Sequence, residues 1–129
     1  MQRWLGRYGE IIYALFRFVA GALFACHGAQ KLFGVLGGQK VPGVSLPLVG
    51  GIIEFAGGLM IAVGLLTAWA AFISCGEMAV AYFMVHAHGG FWPIVNKGEL
   101  AVLYCFCFLY IAARGGGPYS VDAKLLRGR

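Results

Sequence analysis

The chain has 129 residues, of which 60% are hydrophobic and only 12% are charged, with a net charge of +5 and a mean hydropathy of +0.80. A soluble domain carries about 25% charged residues, so this composition excludes a water-exposed globule and predicts one small domain with a lipid-facing surface. The positive charge does not predict nucleic-acid binding, because Arg3 and Arg7 lie at one end and Lys124, Arg127 and Arg129 at the other, where membrane-flanking cations are found.

Four apolar stretches predict four membrane-spanning helices, because each approaches the roughly 17–25 residues that cross a hydrocarbon core. In chain order they are residues 10–29, 47–66, 69–85 and 99–113, followed by a short tail of residues 114–129. Helix is the required form, since lipid offers no water to the edge of an open sheet. We therefore expect an all-α, single-domain four-helix bundle, with a tight antiparallel hairpin between the second and third spans.

An even number of spans places both termini on the same side of the membrane. The terminal segments carry six arginine or lysine residues, whereas the two long connections hold or adjoin only Lys31, Lys40 and Lys97. Positively charged segments tend to remain in the cytoplasm. The charge asymmetry therefore predicts cytoplasmic N- and C-termini.

Three ionisable residues, Arg17, Glu54 and Glu77, interrupt three different apolar stretches. A charge at the centre of a membrane helix costs roughly 2.5–3.5 kcal/mol on insertion scales, so such residues usually have a partner or a function. Each lies on a helical face rich in small residues, which favours burial between helices. Two hypotheses follow: a proton- or ligand-handling site, or a structural pair that joins Arg17 to Glu54 or Glu77.

Arg17 can neutralise only one of the two carboxylates. The other is expected to be protonated near neutral pH, or to use a further cation such as Lys31 or His27. A buried carboxyl that can hold and release a proton suits a quinone site or a proton relay.

A second polar group lies at the opposite end of the bundle from the termini. His27 and Lys31 end the first span, and His86 and His88 follow the third. A haem held by His27 with His86 or His88 is one hypothesis. Helix-end histidines are the favoured interpretation, because His86 and His88 point to opposite sides of a continuing helix. Glu99 would complement the dipole at the start of the fourth span, and no metal site is predicted.

The cysteines are predicted to be small apolar filler rather than catalytic thiols. Cys26, Cys75, Cys105 and Cys107 contain no C-x-x-C motif. On a helix, Cys105 and Cys107 are separated by about 200° and cannot pair with each other.

Several dispersed motifs, in this order along the chain, resemble the DoxX family. They are RFVAG at 17–21, HGAQKLFG at 27–34, GGIIEFAGG at 50–58 with GLLT at 64–67, NKGELA at 96–101 and GGGPYSVD at 115–122. The resemblance implies a multi-pass, four-helix protein of the bacterial or archaeal cytoplasmic membrane. It supports fold more strongly than reaction, because one fold serves many functions.

The family takes its name from a subunit of a thiosulfate:quinone oxidoreductase. The resemblance therefore implies a subunit of a quinone-linked oxidoreductase, with a quinone as cofactor and protein partners in a membrane redox complex. The alternative is a non-catalytic small subunit that anchors a larger complex. Six positions match the family pattern and are the candidate site residues: Glu54 and Glu77 for proton handling, and Arg17, His27, Lys31 and Glu99 for binding the quinone.

Overall fold

Helices account for 79% of the chain in a computed structural model, which describes residues 1–127 and has no strand among them. Three helices are long and apolar enough to cross a membrane: α1, Gln2–Phe33; α2, Leu46–Val63; and α3, Thr67–Gly89. The remaining helices are α4, Pro93–Asn96; α5, Glu99–Arg114; and α6, Val121–Arg127. The all-α membrane prediction is thus confirmed for three spans, and α5 is a shorter helix of 16 residues.

The ends of the first helices follow local sequence signals. Gly34, which ends α1, has a φ of 68°, a left-handed conformation that glycine adopts without steric cost. Ser45 precedes α2, and its hydroxyl accepts a hydrogen bond from the backbone N–H of Leu48 at 3.3 Å. Gly64 ends α2 with a φ of 78°, and the chain enters α3 only three residues later. The short connection confirms the predicted hairpin.

Glycines bring α1 and α2 into backbone contact. A Cβ atom added to Gly21 would lie 2.5 Å from the backbone nitrogen of Ala62, and one added to Gly58 would lie 2.5 Å from that of Ala25. Real Cβ atoms do not approach so closely, so only glycine permits this separation. Close packing through small residues is how membrane helices associate.

Helix α3 packs against α5. The centre of the bundle is filled by large side chains that have no exposed surface: Phe24, Ile61, Phe108 and Ile111. The rings of Phe24 and Phe108 meet edge to face, with centroids 4.6 Å apart. This aromatic layer ties α1 to the α3–α5 pair.

The outer surface carries many large apolar side chains at more than 50% exposure. They include Leu15, Phe18, Leu23, Phe72, Ile73, Leu103 and Phe106. An apolar surface of this extent is characteristic of contact with lipid or with another protein. Together with the three long apolar helices, it indicates a protein embedded in a bilayer.

Candidate functional site

An ion pair between a partly exposed lysine and a buried glutamate links α1 to α2. The Nζ atom of Lys31 lies 2.6 Å from Oε2 of Glu54, whose side chain is only 4% exposed. Glu54 belongs to a π-helical segment, Ile53–Gly57, in the middle of α2. Such segments are rare and often occur at functional sites, because they change the direction of the side chains they carry.

Glu77 approaches the same place from α3. A Cβ atom added to Gly50 would lie 3.0 Å from Oε1 of Glu77 and 3.9 Å from Nζ of Lys31. Gly50 therefore leaves the space in which the lysine and the second carboxylate face each other. We refer to Lys31, Glu54 and Glu77 as the charged cluster. It lies in the half of the bundle nearer residues 34–45, the loop end.

Two buried polar atoms beside Glu54 have no hydrogen-bond partner within the described part of the chain. They are Oε2 of Glu77 and the hydroxyl oxygen of Ser74, one turn before Glu77. Ser74 is fully buried, and a Cβ atom added to Gly57 would lie 2.8 Å from its hydroxyl. Unsatisfied buried polar atoms are costly. Their grouping indicates a place that can accept a proton or a polar ligand atom.

The predicted pairing of Arg17 with Glu54 or Glu77 is wrong. Arg17 is 97% buried, but its guanidinium donates hydrogen bonds to backbone carbonyls at the other end of the bundle. Fourteen residues separate it from Lys31, which places the two about 21 Å apart along α1. Helical periodicity correctly put Arg17 on the buried face. Periodicity did not show which residues of α2 and α3 lie at the same level along the bundle axis as Arg17.

The acceptors of Arg17 belong to two segments. Its Nε atom donates to the carbonyl oxygen of Ile61 at 3.0 Å, at the end of α2, where the helix dipole is negative. Its terminal nitrogens donate to the carbonyl of Gly116 and, at 2.9 Å, to that of Tyr119. Arg17 therefore joins the glycine-rich segment 115–120 to the middle of α1 and the C-terminal end of α2.

Asp122 fastens the same segment to the start of α3. Its carboxylate accepts hydrogen bonds from the N–H of Leu66 at 2.7 Å, and from the N–H and hydroxyl of Thr67 at 2.9 and 2.7 Å. Burial alone would raise the pKa of Asp122, but the hydrogen bonds from Thr67 and Leu66 outweigh it and lower that pKa below its usual value. Asp122 supplies an N-terminal cap to α3 from 55 residues away.

The other sequence candidates do not join the charged cluster. His27 packs edge-on against the ring of Tyr104, with centroids 6.0 Å apart. The Nδ1 atom of His86 lies 3.3 Å from the backbone carbonyl oxygen of Asn96. His88 and Glu99 are exposed. Only Lys31 among the four predicted quinone-binding residues lies beside Glu54 and Glu77.

Asn96 organises the turn before α5. Its side-chain amide donates to the hydroxyl of Tyr82 and to the carbonyl of Gly90, each at 3.0 Å. Its amide oxygen accepts the N–H of Gly98 at 2.8 Å. The NKG motif that opens the fourth predicted span thus has a structural role.

Sequence reasoning missed one side-chain pair. The sulfur atoms of Cys75 on α3 and Cys105 on α5 lie 3.6 Å apart, and both residues are partly buried. Neither spacing nor motif signalled this contact, because it depends on the relative rotation of two helices that are not adjacent in sequence. The sequence could only exclude a pair between Cys105 and Cys107, because these two cysteines lie on the same helix.

The fold and the charged cluster define a helical membrane protein with a polar interior site. The sequence pattern of the DoxX family matches residues 12–87, and the chain belongs to that family. It is 38% identical to an uncharacterized protein of Haemophilus influenzae over 95% of this chain and 97% of that protein. It is 33% identical to the inner membrane protein YqjF of Escherichia coli, over 84% of this chain and 88% of YqjF. No solved structure matches the chain.

Proposed function

We propose that this protein is a membrane subunit of a quinone-linked oxidoreductase and that the charged cluster handles the proton of the quinone reaction. The observation that carries the proposal is the meeting of two carboxylates and one ammonium between the helices, where Oε2 of Glu77 and the hydroxyl of Ser74 lack hydrogen-bond partners. The quinone is implied by the enzyme from which the family takes its name, and the charged cluster offers a carboxylate that could hold the proton.

Charge balance supports proton handling. With both carboxylates ionised, the cluster would carry a net negative charge in a medium that penalises it. Lys31 neutralises Glu54 directly at 2.6 Å. Glu77 is then the residue that holds the proton, with the unsatisfied hydroxyl of Ser74 one turn away.

An apolar groove between α1 and α5 offers a quinone a route from the lipid. It has a volume of about 500 Å³ and is lined by side chains that include Phe16, Leu23, Leu103 and Tyr104. A second cavity shares Tyr104 and adds His27 and Gln30 at the loop end. Apolar walls with a few polar groups are typical of cofactor sites. A quinone supplies electron and proton acceptance at its ring oxygens, and His27 and Gln30 offer polar contacts to them.

Infrared difference spectroscopy tests the proton assignment directly. The protein is placed in lipid vesicles with a short-chain quinone analogue, and spectra are recorded on reduction of the quinone. We expect a protonated carboxylic-acid band that changes on reduction and disappears in Glu77→Gln. Glu10→Gln is the matched control, because Glu10 is an exposed carboxylate bound to Arg114 at 2.6 Å on the far side of the bundle.

A quinone-binding assay on the same variants completes the test. Glu77→Gln and Lys31→Met should each change quinone affinity or the pH dependence of its reduction, whereas Glu10→Gln should not. If the acid band and the quinone response are both unchanged in Glu54→Gln and Glu77→Gln, the cluster is structural. The alternative of a non-catalytic anchoring subunit would then be the better account.

We also propose that α5 is the fourth membrane crossing and that both termini are cytoplasmic. The 16 residues of α5 extend about 24 Å, and they pack against the Thr67–Ala81 part of α3. The excess of arginine and lysine in the terminal segments supports this orientation. Alkaline phosphatase fused after Gly38 should be active and fused after Arg129 inactive; the reverse pattern would refute the topology.

A further inference from the structure

The thiols of Cys75 and Cys105 are in direct contact across the α3–α5 interface. Their sulfur atoms are 3.6 Å apart, within hydrogen-bonding distance for sulfur. A disulfide has a sulfur–sulfur distance of about 2.05 Å, so its formation requires the two sulfurs to approach by about 1.5 Å. The two side chains already meet at the α3–α5 interface, so rotation about their Cα–Cβ bonds can supply that movement.

The position of the pair limits what can reach it. Cys75 lies within the apolar span of α3, and both thiols pack against the hydrophobic core while keeping part of their surface exposed. The neighbouring exposed side chains are apolar, including Phe72 on α3 and Phe106 on α5. A reactant must therefore approach through lipid and be soluble in it.

We propose that Cys75 and Cys105 form a redox-active dithiol that lipid-soluble hydroperoxides convert to a disulfide joining α3 to α5. The proposal is independent of the quinone function, because it rests on the sulfur contact and on no residue of the charged cluster. Cys107 is the natural contrast. It is two residues beyond Cys105 and faces the groove between α1 and α5.

The reaction balances with the hydroperoxide as the sole oxidant. The sulfur of one thiol attacks the terminal oxygen of the hydroperoxide and the O–O bond breaks. The thiol's proton passes to the departing alkoxide, so an alcohol leaves and a sulfenic acid remains on that cysteine. The second sulfur then attacks the first, and the hydroxyl group leaves as water with the second thiol's proton. Two thiols and one hydroperoxide give one disulfide, one alcohol and one water.

Lys97 provides a direct assay, because it is the only lysine or arginine between Cys75 and Cys105. The full chain in lipid vesicles is treated with cumene hydroperoxide, alkylated, denatured and cut with a lysine-specific protease. We expect the fragments on either side of Lys97 to remain joined until a reductant is added. Thiol titration should fall from four to two and return to four on reduction.

Serine variants separate this pair from the other cysteines. Cys26→Ser and Cys107→Ser should still give joined fragments, whereas Cys75→Ser and Cys105→Ser should not. The proposal fails if the wild-type chain keeps four titratable thiols, or if joined fragments persist in Cys75→Ser. A disulfide that forms with a quinone analogue but not with the hydroperoxide would overturn the assignment of the oxidant. The wild-type and Cys107→Ser results decide the matter even if one of the other variants misfolds.

Discussion

Replacement of Arg17 by leucine is the most informative single perturbation of the fold. The side chain donates hydrogen bonds to the carbonyls of Ile61, Gly116 and Tyr119, and a longer one of 3.4 Å to Ala62. Each bond to a charged group contributes about 1.5–3 kcal/mol. A leucine at this position does not carry the cost of burying a guanidinium, and this difference offsets part of the free energy lost with the hydrogen bonds. We expect a net loss of about 3–5 kcal/mol, the usual effect of breaking a buried charged network.

The assay is reversible unfolding in detergent micelles, followed by the helical circular dichroism signal. Arg3→Leu is the control, since Arg3 is exposed near the start of α1. Arg17→Lys should be intermediate, because it keeps the charge but not the planar fork that reaches several carbonyls. The losses from Arg17→Leu and Glu54→Gln should add, because the two residues share no contact. Equal stability of Arg17→Leu and Arg3→Leu, or strong coupling between Arg17 and Glu54, would refute this account.

Three further predictions concern other contacts. The contacts of Asp122 stabilise the fold fully above about pH 4, the ordinary pKa of an aspartate. This stabilisation is lost as the pH falls through the lower pKa that Asp122 has in the folded protein. The free energy of unfolding should therefore fall less steeply with acid in Asp122→Asn than in the wild type. Gly58→Leu should separate α1 from α2 and sharply lower the melting temperature, whereas Gly76→Ala should be neutral or stabilising, because nothing lies within 4 Å of a Cβ atom there. Equal melting temperatures would contradict the backbone contact. Asn96→Ala should lower stability by about 2–4 kcal/mol through the loss of three hydrogen bonds, and an unchanged unfolding midpoint would count against it.

The local character of the chain was determined by its sequence. Apolar stretches that approach the length of a membrane span and carry too little charge for a water-exposed surface predicted membrane helices. The exact helix ends at Gly34, Ser45 and Gly64 were not predicted, although the left-handed geometry and capping that set them are properties of single residues. The 3.6-residue period also identified the buried faces of Arg17 and Glu54. These features depend on near neighbours in sequence, and so they are visible without a structure.

The partners of the charged residues were decided only by the tertiary structure. Two side chains on inward faces meet only if their helices place them at the same depth and rotation, and sequence periodicity specifies neither. Arg17 therefore donates to carbonyls near the end of α2 and in segment 115–120, whereas Lys31, which lies farther along α1, pairs with Glu54. The contact between Cys75 and Cys105 and the cap that Asp122 provides for α3 have the same origin. These last two contacts join residues 30 and 55 positions apart, and only the packing of the helices brings the residues together.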